Sequence, residues 1–277
     1  MRIVNVFLSL LVRALLALLV FEGGLRLLGM GPPDTGLQHD PHLGWSKRAD
    51  YELHRKTDEF DVTIETNAWG LRGEALPERA NPAGNFRVLT LGDSFTLGFT
   101  VSEHDLFAEQ LERWWRSENR RVDVVNAGTQ GYSTDQAVLW AERNGADFGP
   151  NLVLLFPYEN DIYWNGQGTY QTSPKPLYSP AGTLETGELE KPPGRGLLGN
   201  TAIGRLFEKK RGGDTFVPPG SDKPILREFG PLLTDRPDFM ADPEARTRGA
   251  LIALERTCAE LGAKLVVVPI PSHSAVD

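Results

Sequence analysis

Cysteine is almost missing, with Cys258 the only one in 277 residues. A single thiol makes no intrachain disulfide framework and no cysteine-based zinc cage. Cys258 stands among apolar residues at helical spacing, the setting of a buried structural thiol. Long basic runs are missing too. Lys209-Lys210-Arg211 is the largest cluster, and 29 Lys and Arg against 37 Asp and Glu leave a net charge of −8. That balance excludes a nucleic-acid backbone as partner. No internal repeat is present, and no residue cluster calls for a cofactor or a metal. What is there, 40% apolar and 24% charged residues, is average globular usage and predicts one sizeable α/β core with appendages.

The first thirty residues differ in kind. In "MRIVNVFLSLLVRALLALLVFEGGLRLLGM" the stretch Ile3 to Val20 is broken only by Asn5, Ser9 and Arg13, long enough to span a bilayer core. Arg13 opposes this, since a central cation costs about 2.5–3.5 kcal/mol on insertion scales. A signal peptide with its apolar part at Ala14 to Phe21 would leave a secreted protein. No small-x-small cleavage site follows Phe21, however, and Glu22 to Leu28 continues as an amphipathic helix. The favoured reading is an uncleaved anchor in which Arg13 snorkels, with Arg2 inside and the remainder extracytoplasmic. An amphipathic helix packed on the domain is the third reading.

Composition then divides the chain into a leader at 1–30, an N-terminal extension with linkers at 31–85, and an α/β domain at 86–277 carrying an insertion at 162–242. In the extension, alternation over Phe60–Thr66 predicts a half-exposed strand, and Pro77 to Asn85 predicts a linker. From Phe86 the apolar runs Val88–Leu91, Val122–Asn126, Leu152–Phe156 and Lys264–Pro269 predict buried strands. Helical periodicity over Ser102–Asn119, Ser133–Asp147 and Pro243–Leu261 alternates with them, which specifies a parallel sheet. Ser102 and Asp105 have capping-box spacing. The Pro- and Gly-rich insertion predicts a lid, a binding segment or partial disorder, with one short helix inside Leu198–Lys210.

Open parallel sheets bind ligands beyond the carboxyl ends of their strands. Three consecutive loops there carry Gly92-Asp93-Ser94-Phe95, Asn126-Ala127-Gly128-Thr129-Gln130-Gly131 and Tyr158-Glu159-Asn160-Asp161. Taken singly, each is a turn or a helix cap. Together they offer a hydroxyl and donors to an oxyanion, which is what acyl transfer needs. These blocks resemble the SGNH, or GDSL, hydrolases: serine esterases, lipases and carbohydrate acetylesterases on a flavodoxin-like three-layer α/β/α fold. The resemblance covers 86 to 161 and resumes at about 243 to 271. It implies Ser94 as nucleophile and oxyanion donor, Gly131 as the second donor with Gly128 the other candidate, and Asn160 as the third. Tyr158 stands where the family has Gly. "DPHLGW" and "NAWGLRG" ahead of the GDS strand are similar to a membrane-anchored or exported bacterial branch.

In that family the base is the His of an Asp-x-x-His motif. Three residues before His39, His42, His54, His104 and His273 stand Gly36, His39, Tyr51, Val101 and Ile270, so the motif is absent. The resemblance therefore implies a sequence cut before its last strand and helix, where the motif would lie. His104 and His273 are weighed as substitutes and not assigned. The expectation is an esterase removing acyl or acetyl groups from an envelope glycan or lipid. The alternatives are a non-catalytic glycan-binding module and an O-acetyltransferase.

Overall fold

The computed structural model describes residues 2–31, 33–73, 81, 83–192, 201–206 and 213–271. Most of the Pro77–Asn85 linker, the flanks of the Leu198–Lys210 segment and His273 lie outside the described residues. Two compact units form, one of residues 1–35 with 192–212 and the other of residues 36–191 with 213–277. In the smaller, the apolar run interrupted at Asn5, Ser9 and Arg13 builds most of α1 (Arg2–Leu27). Its 24-residue stretch Val4–Leu27, whose most apolar 18 residues have a mean hydropathy of 2.4, is long and apolar enough to cross a membrane, a character that a signal sequence shares. Glu22 of α1 accepts the Ala202 and Ile203 N–H groups at 2.9 and 3.0 Å. It thereby caps the short helix Ala202–Leu206.

The larger unit opens with two antiparallel hairpins. One pairs β1 (Leu37–Asp40) with β2 (Gly44–Lys47), the other β3 (Tyr51–Lys56) with β4 (Asp61–Thr66). The expected extension strand is β4, with Val62 and Ile64 turned inward. Single bridges Thr66↔Arg72 and Arg72↔Asn126 then tie the extension to the main sheet.

That sheet contains β5 (Phe86–Gly92), β6 (Val122–Asn126), β7 (Leu152–Phe156) and β8 (Lys264–Val267) in the order β8-β7-β5-β6. All its pairings are parallel. In chain sequence the order is second, first, third, fourth, the flavodoxin-like winding. Helices α3 (Phe107–Ser117), α4 (Thr134–Phe148) and α6 (Ala241–Leu261) cover it, while α2 (Ser94–Leu97) and α5 (Glu159–Trp164) start at strand ends. Leu89, Leu91, Val125, Val153 and Leu155 of the strands share one core with Val138 and Ala141 of α4 and Ala253, Leu254 and Cys258 of α6. Burial pushes the Cys258 thiol up to about 11, as expected of a packing residue.

Two local expectations change. The helix predicted from Ser102 begins at Phe107, after a separate 3-10 turn at Glu103–Asp105. Ser102 donates to the Asp105 carboxylate at 2.6 Å, so its hydroxyl caps no backbone N–H, and the fully buried Leu106, at φ −57° and ψ 131°, is non-helical between the two segments. The start of the insertion is also no loose loop. A small hairpin pairs Thr169–Tyr170 with Ser173–Pro174, and Lys175 and Tyr178 just after it are buried.

Candidate active site

Strand order reverses between β5 and β7, and the crevice at that point is where an open α/β sheet takes its ligand. β5 runs directly into Gly92, where space is the constraint: an added Cβ would lie 2.2 Å from Thr96 Oγ1 and 2.9 Å from Phe156 O. Asp93 then caps α2, its carboxylate accepting the Phe95 N–H at 2.8 Å. The helix stops after one turn on Gly98 at φ 75°. Arg72 of "NAWGLRG", itself buried, locks that end by donating to Leu97 O at 3.1 Å, to Val101 O at 2.7 Å and to Gly98 O. Ser94 thus occupies the first position of a short helix braced at both ends. It is half-buried, and its hydroxyl has no hydrogen-bond partner among the described residues.

The second loop lies against α2. Asn126 Nδ2 donates to Thr96 O at 2.9 Å, Asn126 Oδ1 accepts the Gly128 N–H at 3.0 Å, and the Thr129 N–H donates to Gly92 O at 3.1 Å. Gly128 passes so close that a Cβ there would sit 2.4 Å from Leu97 N. That contact makes Gly128 a packing glycine. Gly131 is half-buried at φ 74°, next to the rings of Tyr170 and Trp45.

The third loop enters α5 through Tyr158, whose N–H donates to Asp161 Oδ2 at 3.2 Å. At φ −101° and ψ 157° Tyr158 is ordinary extended backbone, so this position does not require the glycine that the resemblance would put there. Asn160 follows in the first turn, half-buried, its side-chain amide also without a hydrogen-bond partner among the described residues. The Phe95 and Tyr158 rings, 4.8 Å apart, join the Ser94 and Asn160 loops. Beside Gly131 the Tyr170 ring lies 4.8 Å from the Trp164 ring and 5.7 Å from the Trp45 ring.

Electrostatics tie the same loops together. Burial pushes the Asp93 carboxyl up to about 6, against hydrogen bonds from Phe95 and Thr96. Asp161 is raised well above the usual range by burial first and by the charge of Asp93 second. Its partners are the Tyr158 N–H and the Thr134 hydroxyl at 3.4 Å. Burial and then the charge of Glu228 raise the Tyr170 phenol, with Asp93 and Asp161 adding to the effect. Beneath α5 the fully buried Lys175 ammonium bonds the Asp135 carboxylate and donates to Trp164 O at 3.0 Å.

Four side chains that the sequence reading did not single out therefore build the surroundings: Trp45 and Lys47 on β2, Arg72, and Lys175. The first three sit within or beside "DPHLGW" and "NAWGLRG", segments noticed only as a pattern. None of the described histidines is hydrogen-bonded to Ser94 or Asn160. His104 is exposed and 3.2 Å from Asp105, His54 is 2.6 Å from Asp61 on the β3–β4 hairpin, and His39 contacts Gly44 O at 3.2 Å.

No family model matches the chain, and no curated protein does. Among solved structures it is similar to AlinE4, an SGNH-hydrolase family esterase, at 16% identity over 66% of this chain and 75% of that one, with a TM-score of 0.29. One mutant of that esterase gives the same values. A second gives 14% identity over 69% of this chain and 89% of its own, also at 0.29. Overlap this loose carries no residue-by-residue correspondence.

Proposed function

We propose that the chain is a serine esterase of SGNH type. The observation that carries this reading is the pairing of Ser94 and Asn160. They come from the ends of β5 and β7, on either side of the switch point, each half-buried with its polar group unbonded. Ser94 Oγ attacks the ester carbonyl. The oxyanion that develops is met by the Ser94 N–H, one of the donors that a first helical turn leaves free, by the Gly131 N–H and by Asn160 Nδ2. The Ser94 proton passes to a base, which the resemblance assigns to a histidine; none of the described histidines touches Ser94.

The walls support a substrate with a flat apolar face. Phe95, 54% exposed, and Tyr158 form one wall, and Tyr170 with Trp164 the other. Aromatic faces of this kind suit the ring of a sugar. The finer reading is removal of acyl or acetyl groups from an envelope glycan or a lipid, with α1 as membrane anchor and residues 36–277 on the extracytoplasmic side.

A fluorophosphonate probe and acetyl release from an acetylated glycan test this together. Labelling and release by the wild type, both lost in Ser94→Ala, are expected. Equal labelling of the two proteins would reject Ser94 as nucleophile.

A further inference from the structure

The loop that carries Gly131 is held from outside by the N-terminal extension. Trp45 and Lys47 are two residues apart on β2, so their side chains leave the same face of the strand, and both are buried. Trp45 Nε1 donates to Gln130 O at 3.0 Å, and Trp45 O accepts the Tyr132 hydroxyl at 2.7 Å. Lys47 Nζ donates to Gly128 O and, at 3.0 Å, to Thr129 Oγ1. One residue before β2, Leu43 O accepts Gln136 Nε2 at 2.7 Å.

Peptide planarity gives these bonds a consequence. Gln130 C=O and Gly131 N–H belong to one trans peptide unit, so they point in opposite directions across a rigid plane. Fixing the carbonyl aims the N–H. The unit before it but one is held at both ends: Gly128 C=O accepts from Lys47, and the Thr129 N–H donates to Gly92 O at 3.1 Å. Lys47 also argues against simple packing. A buried ammonium without a carboxylate partner is expensive, and an apolar side chain would fill the same space at lower cost. Among the described residues its hydrogen-bond partners are atoms of this loop, and burial pushes its amine down to about 7.

We infer that Trp45 is a positioning residue for the Gly131 N–H, aiming it at the oxyanion through the Gln130–Gly131 peptide, with Lys47 fixing the Gly128–Thr129 peptide that precedes it. This rests on the esterase reading of the site. It makes the extension part of the catalytic apparatus, acting through backbone and touching no substrate.

The test uses the full chain in mild detergent with Trp45→Phe, which keeps a ring against Tyr132 and Tyr170 and deletes the indole N–H, and with Lys47→Met. Expected are a kcat about 10- to 100-fold lower with KM within about twofold, the cost of a donor misplaced by a fraction of its reach. Amide exchange over 129–132 should rise about tenfold or more while β5 and β7 keep their protection. The exchange measurement needs no turnover, so it decides the point even for a variant of low activity. Unchanged exchange over 129–132 in Trp45→Phe, or an unchanged kcat, overturns the positioning role. A uniform rise across β5 and β7 also overturns it, because that is the mark of a merely structural residue. Failure of the underlying reading looks different: Ser94→Ala would then be labelled like the wild type, whatever Trp45→Phe does.

Discussion

The ring of Phe95 lies 4.8 Å from the ring of Tyr158, tilted by 40°. One residue follows Ser94 directly, the other precedes Asn160 by two, so a single contact spans the switch point between the β5 and β7 loops. Such a pair contributes about 0.5–1.5 kcal/mol beyond its buried area. Phe95→Ala and Tyr158→Ala are each expected to raise KM for a glycan ester by about three- to tenfold. Because they share one surface, the double variant should lose less than the two singles summed. KM values on one acetylated glycan check this, and strictly additive losses would contradict a shared wall.

Asn160 carries an amide with no hydrogen-bond partner among the described residues, so its removal leaves no ground-state bond broken within the protein. Asn160→Ala is expected to lower kcat by about 10²–10³ with little change in KM, the pattern of an interaction made only in the transition state. A KM rise at constant kcat would make Asn160 a substrate-binding residue.

Gly128 and Gly187 offer a matched comparison. A Cβ on Gly128 would meet Leu97 N at 2.4 Å and Thr96 C at 2.6 Å, while nothing stands within 4 Å of one on Gly187. The Gly128 neighbours are backbone of α2 and cannot rotate away. Gly128→Ala should therefore cost about 1–3 kcal/mol, seen in thermal melts as a loss of about 2–4 °C for each kcal/mol. Gly187→Ala should stay within about 0.5 kcal/mol of the wild type.

The strands were legible because Val88–Leu91, Val122–Asn126 and Leu152–Phe156 are short apolar runs, and burial on both faces leaves such runs no other use. The glycines of the first two loops stood out as turn residues, with Gly128 a candidate oxyanion donor; that Gly92 and Gly128 are places of close approach, to Phe156 O and to Leu97 N, depends on contacts distant in the chain. What holds these loops was not legible. Trp45 bonds a carbonyl 85 residues away, and nothing local announces such a pairing. Lys175 looks like a surface lysine in a Pro-rich stretch, yet it is wholly buried. Its partner Asp135 likewise looks like an ordinary first-turn acid of α4. Periodicity also could not see that Ser102 would spend its hydroxyl on Asp105, which moved the start of α3.

Lys175 and Asp135 form an ion pair with side chains 0% and 1% exposed. Removing one partner of such a pair leaves a buried charge and costs about 3–5 kcal/mol, whereas replacing both by apolar residues is often neutral. Lys175→Met alone should therefore be strongly destabilising, and Lys175→Met with Asp135→Leu should recover most of the loss. Urea titrations of the four proteins in the cycle check this. A double variant as unstable as Lys175→Met would mean that the Lys175 bonds to Trp164 O and Gln167 O matter more than the pair.

Lys47 makes stability depend on pH in a definite direction. Burial holds its amine at about 7 in the folded chain, against 10.5 ordinarily. Between those values the unfolded chain binds a proton that the folded chain has released, so unfolding takes one up. Stability from this group is thus fully present above 10.5 and is lost as the pH falls through 7, with a slope of up to about 1.4 kcal/mol per pH unit between. Lys47→Met removes the slope. It also removes the bonds to Gly128 O and Thr129 Oγ1, an offset that does not vary with pH. Urea titrations at several pH values from 7 to 10 should show the wild type gaining on the variant as the pH rises. Parallel profiles would mean that the amine keeps its proton when folded, and that water reaches it beneath the Gly131 loop.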